Sequence, residues 1–382
     1  MKILLVSFAT QPDRGSEGGV GWHMLKSAFQ VSQQTESELH VIIDHRDAPG
    51  VLGSIEKLDP KLARNIHTVA LPLMAQNRFG KSKSRASYLA WYPMALRRAF
   101  KLHAEFNFDI AHQVTFATAS LPPVLPAPIR HKVWGPVAIA RQPALGINGT
   151  ASLLDTATTY AAKNLGRNLS RFPDECIAQN EQTARILRKA GIKNTIEPNI
   201  IVEPGTPQET IPNSIVFSGN LVDRKRPWIL LQALNHPSMR DFTATFVGDG
   251  NLRGYLESYV RLERMNSRVN FLGRVDHGTS ISTIARADVH VLPSSREGAP
   301  WVVGEAAAHG VPSVVSSISG ASTVVELSGD LGCVVKEKRN DEDISDGFRR
   351  AIRDTSGKTW TPSARWTERR LPTLLSDVWQ LG

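Results

Sequence analysis

Two glutamates flank the start of a short predicted helix in the second half of the chain. Glu297 lies just before the expected helix start near Ala299, and Glu305 lies about one and a half turns inside the helix. Pro300 suits the first helical position, where a backbone N–H is not needed. The free N–H groups of a helix start attract phosphate, and a carboxylate accepts hydrogen bonds from neighbouring sugar hydroxyls. The two glutamates therefore predict a site for a ligand with both sugar and phosphate groups. The alternative interpretation is that both are solvated residues in the first turns of a helix.

Three further loops in this half follow predicted strands, which is where parallel sheets bind ligands. Glycine lets the backbone turn close to a ligand, and the cations of the first loop would neutralise a diphosphate. An Arg-Lys-Arg triplet alone is typical of a solvated loop, but its place after a strand and a glycine favours binding. The residues are Gly219, Asn220, Arg224 and Lys225 in the first loop, Gly248 in the second, and Arg274 and Val275 in the third.

A glycine-rich stretch precedes a predicted helix over 20–31 in the first half. Gly18 and Gly19 lie in this stretch, where a phosphate or a sugar would come close to the backbone. The same stretch permits a second hypothesis, in which Asp44 ends the next strand and holds the ribose of a nicotinamide cofactor. The complete G-x-G-x-x-G pattern is absent, which argues against that hypothesis. His112 ends another short strand, where a lone histidine is usually structural.

The order of these motifs resembles that of retaining glycosyltransferases with the GT-B architecture, in particular glycosyltransferase family 4. The resemblance rests on Glu297-Gly298, on Glu305-Ala306 and on the His-Gly-Val-Pro that follows, which together look like the E-x7-E signature of that family. It implies that Glu297 binds donor-sugar hydroxyls and that Glu305 binds the nucleotide ribose. It also implies that the leaving diphosphate is stabilised by cations and a helix end, with no cofactor and no bound metal.

The same resemblance gives roles to other residues and exposes departures from the family pattern. Lys225 matches the family's diphosphate-binding lysine, whereas Asn220 stands where an arginine is usual and Arg224 would replace it. The glycines of the first half would contact the diphosphate, and His112 would meet a sugar hydroxyl, although Val114 replaces a second histidine. The remaining donor contacts implied by the resemblance are Gly18, Gly19, Gly219, Gly248, Arg274, Val275, Gly298, Ala299 and Pro300, with Ala299-Pro300 in place of the family's Phe-Gly.

Short apolar runs alternate with helical stretches along the chain, which predicts parallel sheets covered by helices. We therefore predict an α/β protein with two Rossmann-like domains, and the GT-B resemblance implies that their sheets face each other across a cleft. The predicted acceptor-side domain covers 1–172 and the nucleotide-sugar-binding domain covers 173–363, with a boundary near Phe172. A helix over about 364–382, kinked or broken at Pro372, is expected to pack back on the first domain. The predicted strands are 2–8, 39–44, 66–71, 110–112, 131–133, 175–178, 214–218, 243–247, 269–271, 289–292, 313–315 and 332–334.

Composition and charge limit the class of protein. The 382 residues include two cysteines and carry a formal net charge of +9, and no apolar run approaches the length of a membrane span. These features predict a cytoplasmic protein. The segment 78–103 is basic and aromatic, which favours either contact with an anionic membrane on its inner face or an ordinary helix with its aromatic residues in the core. Nucleic acid is not expected as a partner because no recognisable nucleic-acid module accompanies the charge.

These observations predict an enzyme that moves a sugar from a nucleoside-diphosphate donor to a hydroxyl acceptor with retention. The expected acceptor is a cell-envelope glycan, a polysaccharide or a lipid-linked glycan, an expectation that rests on the basic aromatic segment. Two alternatives stay open at this point. A sugar-nucleotide epimerase would share the architecture, and a non-catalytic protein would use the same cleft only to bind a sugar nucleotide.

Overall fold

The chain was analysed as a computed structural model that describes residues 1–12, 16–80, 82–116, 118, 120–139, 153–206, 208–338 and 340–381. Gly15 of the glycine-rich stretch and Lys81 of the basic segment lie outside these residues. The chain divides into a first unit, Met1–Ile139, Ala161–Asn199 and Glu368–Gly382, and a second unit, Ala140–Tyr160 and Ile200–Thr367. Each unit has its own parallel sheet, which confirms the predicted pair of Rossmann-like α/β domains.

The first unit is built on a seven-stranded sheet with the order β3-β2-β1-β4-β5-β6-β7. Its strands are β1 Lys2–Ser7, β2 Glu38–Asp44, β3 Ile66–Val69, β4 Ile110–Gln113, β5 His131–Val137, β6 Glu175–Ala178 and β7 Asn194–Ile196. Its helices are α1 Ser16–Gln34, α2 Ala48–Leu58, α3 Pro60–Arg64, α4 Leu73–Phe79, α5 Arg85–Phe106, α6 Leu153–Leu169, which is shared between the units, α7 Glu181–Lys189 and the later α14 Leu371–Trp379.

The second unit is built on a six-stranded parallel sheet with the order β10-β9-β8-β11-β12-β13. Its strands are β8 Ile211–Ser218, β9 Thr243–Val247, β10 Val269–Gly273, β11 Ala287–Leu292, β12 Ser313–Ser316 and β13 Gly332–Val335. Its helices are α8 Pro227–Leu234, α9 Arg253–Leu262, α10 His277–Ala285, α11 Trp301–Ala308, α12 Ala321–Leu327 and α13 Asp341–Thr355.

Both sheets reverse their strand order near the centre, and that reversal decides where a ligand fits. The order reverses between the neighbouring strands β1 and β4 in the first unit and between β8 and β11 in the second. In open parallel sheets the crevice at the carboxyl ends of such strands is the usual binding position. The strand β11 is buried along its whole length, so the loop after it emerges at a fixed place. The predicted site residues that follow β8 and β11 therefore lie beyond the carboxyl ends of two neighbouring strands of the second sheet.

The predicted domain boundary near Phe172 is wrong. The strands β6 and β7 extend the first sheet, with Trp134 paired to Cys176 and Cys176 paired to Asn194. The units therefore change at Asn199 rather than at residue 172. The sequence pattern missed β7 because its three residues are only half-buried and show no apolar run.

The last helix also differs from its prediction. It begins at Leu371, after a 3₁₀ turn over Glu368–Arg370, and Pro372 lies in its first turn. A missing N–H is harmless there, so no kink is needed. The helix α14 belongs to the first unit, where the backbone carbonyl of Val378 lies 2.7 Å from the His131 Nε2. Trp366, expected in the same helix, instead lies in the core of the second unit.

The basic aromatic segment covers the end of α4 and most of α5, and its aromatic residues divide between core and surface. Tyr88 and Trp91 are fully buried. The Tyr88 hydroxyl donates to the Pro122 carbonyl at 2.7 Å, and the Trp91 indole N–H donates to the Val69 carbonyl at 3.1 Å. The interpretation that these two rings rest among lipid headgroups is therefore wrong. No described helix combines the length and apolar character that crossing a bilayer requires.

Candidate functional site

The loops after β8 and β11 are joined by hydrogen bonds at the centre of the second sheet. The backbone carbonyl of Arg224 accepts from the Ser295 N–H at 2.8 Å. It also accepts from the hydroxyls of Ser294 and Ser295 at 2.9 and 3.1 Å. Sequence reasoning did not single out these serines, although two small polar residues between a buried strand and a glutamate were a usable signal. They fix the backbone that carries Arg224 against the loop that leads into α11.

A cluster of two cations and one carboxylate lies on this joined backbone. The Glu297 Oε1 is 2.8 Å from the Arg224 Nη1 and 2.8 Å from the Lys225 Nζ. The Ser294 hydroxyl donates to the same oxygen at 2.9 Å. The structure thus brings together three predicted residues whose positions in the chain are 72 and 73 apart.

Burial and charge set the ionisation state of Glu297. Burial by itself raises the pKa of this carboxyl, since only 12% of the side chain is exposed. The charges of Lys225 and Arg224, together with their hydrogen bonds, outweigh burial and hold the pKa below its ordinary value. Glu297 is therefore ionised at neutral pH. The Lys225 side chain is as buried as that of Glu297, whereas Arg224 is 36% exposed and presents part of its guanidinium to solvent.

Three glycines bring the neighbouring loops into close contact beside this cluster. Gly219 and Gly248 have φ values of +143° and +126°, which other residues rarely adopt. A Cβ on Gly248 would come within 2.2 Å of the Gly219 carbonyl oxygen, and one on Gly219 would press on the Lys225 side chain. The Gly248 N–H donates to the Gly273 carbonyl at 2.8 Å. The glycine positions thus let three strand ends lie together, with Asn220 exposed at their rim.

The helix α11 begins one residue later than expected. Pro300 is its N-cap, with an extended ψ of 117°, and the helix runs from Trp301. Gly298 and Ala299 are half-buried in the loop before it, and the Glu297 carbonyl accepts from the Gly320 N–H at 3.1 Å. The helix is close-packed, because a Cβ on Gly304 would come within 2.5 Å of the Ile200 side chain.

Glu305 lies about one turn inside α11 and is partly buried. Burial raises the pKa of its carboxyl above the ordinary value, and the nearby His277 and His309 only partly oppose that effect. A carboxylate with this environment gains from a neutral hydrogen-bond donor such as a hydroxyl. Arg274 is exposed, and Val275 packs on a small apolar cluster that includes Ala306 of α11. The last two predicted nucleotide contacts are thus close to the same helix.

His112 does not have the surroundings predicted for a sugar-binding residue. Its ring is fully buried in β4. The Nε2 atom is 3.0 Å from the Gly135 carbonyl oxygen, and the Trp379 indole N–H donates to Nδ1 at 3.2 Å. Burial lowers the pKa of this histidine to about 4. Because both ring nitrogens are occupied and the ring is neutral, we correct the prediction: His112 is a structural residue that holds α14.

The first turn of α1 carries the glycine-rich stretch. Gly18 and Gly19 lie there, and the Gly18 carbonyl accepts from the Gln11 N–H at 2.9 Å. The closest approach is made by Gly21 instead, where a Cβ would come within 2.0 Å of the Ala9 carbonyl. Glu17 was not predicted as a site residue. Its carboxylate accepts from the Phe116 N–H at 2.6 Å, and burial raises its pKa.

The nicotinamide hypothesis fails at Asp44. This carboxylate is completely buried and forms ion pairs with Arg46 at 2.7 Å and with Lys83 at 3.3 Å. The Arg46 backbone N–H also donates to it at 2.9 Å. These partners leave no access for a ribose hydroxyl. Among the residues that the structure describes, no group of three or more His, Cys, Asp or Glu side chains could hold a metal ion.

The structural division distributes the predicted residues between the two units. Gly18, Gly19 and His112 belong to the first, and all the others belong to the second. Within the second unit, the cluster at Glu297 and the nearby strand ends concentrate cations, backbone N–H groups and a second carboxylate. This arrangement suits a ligand with a phosphate group and several hydroxyls.

Comparison with known proteins places the second unit in a family context. Residues 204–368 match the family model described as "Glycosyl transferases group 1", which covers less than half of the chain. A glycogen synthase from Mycobacterium tuberculosis is 33% identical over 128 residues, 32% of this chain and 30% of that protein. A UDP-Gal:alpha-D-GlcNAc-diphosphoundecaprenol alpha-1,3-galactosyltransferase from Escherichia coli is 34% identical over 126 residues, 31% of this chain and 32% of that protein. The matched region thus spans about a third of the length of these curated relatives.

Solved structures match over the whole chain at low sequence identity. The apo form of the lipopolysaccharide outer core galactosyltransferase WaaB has a TM-score of 0.56 at 14% identity, covering 99% of this chain and 95% of that chain. A sucrose-phosphate synthase from Thermosynechococcus elongatus has a TM-score of 0.59 at 14% identity, covering 100% and 98%. At these identities the likeness concerns the fold, and it establishes the GT-B architecture.

Proposed function

We propose that this chain, whose residues 204–368 are a glycosyltransferase group 1 domain, is a retaining glycosyltransferase that uses a nucleoside-diphosphate sugar. It transfers the sugar to a hydroxyl of an acceptor glycan. The observation that carries the proposal is the cluster of Arg224, Lys225 and Glu297 at the central strand ends of that domain. Two cations beside one ionised carboxylate match a donor that has a diphosphate at one end and hydroxyls at the other.

In this mechanism the cations act on the leaving group. Arg224 and Lys225 bind the diphosphate and stabilise the negative charge that grows as the bond to the sugar breaks. The N–H groups at the start of α11 lie in the same loop system and add positive potential. Glu297 orients the sugar hydroxyls, and Glu305 binds the ribose. An oxygen of the donor phosphate takes the acceptor proton, so no side-chain base, cofactor or metal is required.

We further propose a cell-envelope, polysaccharide or lipid-linked glycan as the acceptor. A relative of the second unit is named as a galactosyltransferase that acts on a diphosphoundecaprenol-linked sugar, and a structural neighbour is named for the lipopolysaccharide outer core. A lipid-linked acceptor is anchored in a membrane, and with such an acceptor the protein would work peripherally on the inner face. The donor class is supported by a neighbour, HepE from Anabaena, whose structure is described in complex with UDP.

The decisive experiment is incubation with a panel of UDP-, GDP- and ADP-sugars. Release of the nucleoside diphosphate, with or without an added acceptor, supports a transferase, whereas interconversion of the sugar supports an epimerase. Binding without turnover supports a sensor of sugar nucleotides. Any outcome other than release or transfer contradicts the proposed function.

A variant tests the role of the cluster without disturbing the core. Arg224→Gln removes a partly exposed cation. Loss of its charge-assisted bond to phosphate, worth about 1.5–3 kcal/mol, predicts a decrease in kcat/KM of about 10- to 150-fold. The matched control is Arg350→Gln, an exposed arginine of α13 paired only with a surface aspartate among the described contacts. Unchanged kcat/KM for Arg224→Gln would remove the diphosphate role.

A further inference from the structure

We propose that the outer face of α5 docks the first unit on an anionic membrane surface. The outer face is defined by Leu89, Pro93, Leu96, Arg97, Phe100 and Lys101, together with Arg85 at the start of the helix. It lies opposite the buried face that carries Tyr88 and Trp91. The helix α5 therefore has a core-facing side and a second side that is both apolar and basic.

The apolar part of the outer face is a continuous stripe. Leu89, Pro93, Leu96 and Phe100 follow the spacing i, i+4, i+7 and i+11, which places them on one side of a helix. Leu89 is 51% exposed, Phe100 is 40% exposed and Pro93 is also exposed, whereas Leu96 is partly buried and packs against the core of the first unit. Single exposed apolar residues are ordinary, but a row of them along three turns is not.

Exposed cations accompany the stripe. Arg85, Arg97 and Lys101 are exposed, and none takes part in an ion pair of the described residues. The sequence contains no acidic residue between Asp59 and Glu105. The segment thus concentrates positive charge around apolar side chains on one helix surface.

This combination fits an anionic lipid surface better than a second copy of the chain. In a pairing of two outer faces, the cations of one copy would lie against those of the other and repel them. A lipid surface offers phosphate headgroups to the cations and acyl chains to Leu89 and Phe100. The preceding helix α4 contacts α5 and leaves Leu73 and Met74 largely exposed, so the same part of the first unit presents further apolar side chains.

The inference goes beyond the proposed chemistry by assigning a surface, and it rests on the proposed function only for the acceptor class. Membrane binding is measured without donor or acceptor, and donor hydrolysis is measured without vesicles. A failure of one is therefore distinguishable from a failure of the other.

The test is co-sedimentation of the full chain with vesicles of phosphatidylcholine alone and with vesicles that also contain about 30% phosphatidylglycerol. We expect binding only to the anionic vesicles, with loss at high salt. The charge variant Arg97→Gln/Lys101→Gln is expected to weaken binding about 20- to 30-fold, because each cation near such a surface contributes about fivefold. The apolar variant Leu89→Ser/Phe100→Ser is expected to weaken it at unchanged charge.

The matched controls lie in the second unit. Arg353→Gln/Lys358→Gln removes two exposed cations, and Leu262→Ser removes an exposed leucine, so both should bind vesicles like the unmodified chain. Equal binding to neutral vesicles, or the same weakening in the controls, would overturn the proposal. Binding to heparin without binding to vesicles would also overturn it, in favour of a dissolved polyanion. Circular dichroism of each variant checks that the fold is retained.

Discussion

Replacing Glu297 by glutamine removes the negative charge that pairs with Arg224 and Lys225. The side chain keeps almost the same shape and one acceptor oxygen. The ion pair between Glu297 and Lys225 contributes more to local stability than the pair with Arg224, since the side chains of Glu297 and Lys225 are both about nine-tenths buried. Breaking a buried pair from one side costs about 3–5 kcal/mol, whereas a partly exposed pair such as that with Arg224 contributes about 0–1 kcal/mol. Because glutamine still accepts one hydrogen bond, we expect a local loss of about 3 kcal/mol.

Hydrogen exchange at the Ser295 amide reports this loss directly. That N–H donates to the Arg224 carbonyl, so it is exposed only when the two loops separate. A loss of about 3 kcal/mol corresponds to a decrease in protection of about 150-fold at pH 7. The pKa of Glu297 in the folded chain lies below its ordinary 4.5. The stabilisation is therefore present above pH 4.5 and disappears as the pH falls through the folded-state pKa. The difference between the two proteins should shrink in acid.

The same variant separates two parts of the proposed mechanism. Without Glu297 the cations lack their partner, so a nucleoside diphosphate should bind at least as tightly, while transfer of the sugar should fall. Isothermal titration with the diphosphate and turnover with the donor measure these effects. The control is Asp346→Asn, whose carboxylate also lies between two arginines but is 39% exposed; it should change neither. Wild-type protection of the Ser295 amide in Glu297→Gln at pH 7 would refute the reasoning.

Three further predictions concern glycine geometry, histidine titration and a buried ion pair. Gly248→Ala should destabilise the second unit by about 2–4 kcal/mol and weaken donor binding, because Gly248 has a φ of +126° and an alanine Cβ there would strike Gly219. Urea titration measures the loss. The control is Gly254→Ala, because an added Cβ at Gly254 meets open space. His112→Phe should abolish about 3 kcal/mol of pH-dependent stability in β4. A pKa of about 4 against an ordinary 6.5 makes that stability present above pH 6.5 and lost towards pH 4, measurable by hydrogen exchange corrected for intrinsic rates; an unchanged pH profile would contradict it. Asp47→Asn removes the charge that pairs with the largely buried Lys83 ammonium at 3.0 Å and leaves one acceptor oxygen. Because the Thr10 N–H donates to the same carboxylate at 2.9 Å, protection of the Thr10 amide should fall about 100-fold. Equal protection in hydrogen exchange would show that other contacts hold the loop.

The parallel architecture was predictable from sequence because its strands are short apolar runs. β6 and β9 were predicted with their observed bounds, Glu175–Ala178 and Thr243–Val247. The domain boundary was not predictable in the same way. Membership of β6 in the first sheet depends on pairing with a strand more than thirty residues earlier, and no local pattern carries that information.

The candidate site shows the same division between local and distant information. Residue types and order were enough to select Arg224, Lys225 and Glu297, but not to show that they share one oxygen. His112 illustrates the opposite error. Its place at a strand end matched a familiar pattern, whereas its partner Trp379 is 267 residues away and decides its environment. Properties that depend on long-range contacts, such as the burial of a side chain or the neutral state of a histidine, can be read only from the folded structure.

The return of α14 to the first unit has a consequence for how the protein is made. On a ribosome, residues 1–139 and 161–199 emerge before the second unit, but Trp379 emerges only after Ile200–Thr367 has been synthesised. At about 5–20 residues per second that interval is on the order of 10–30 s. During this time the Nδ1 of His112 lacks its indole partner and the surface that α14 covers faces water. The first unit therefore completes its fold only after the second unit has been synthesised.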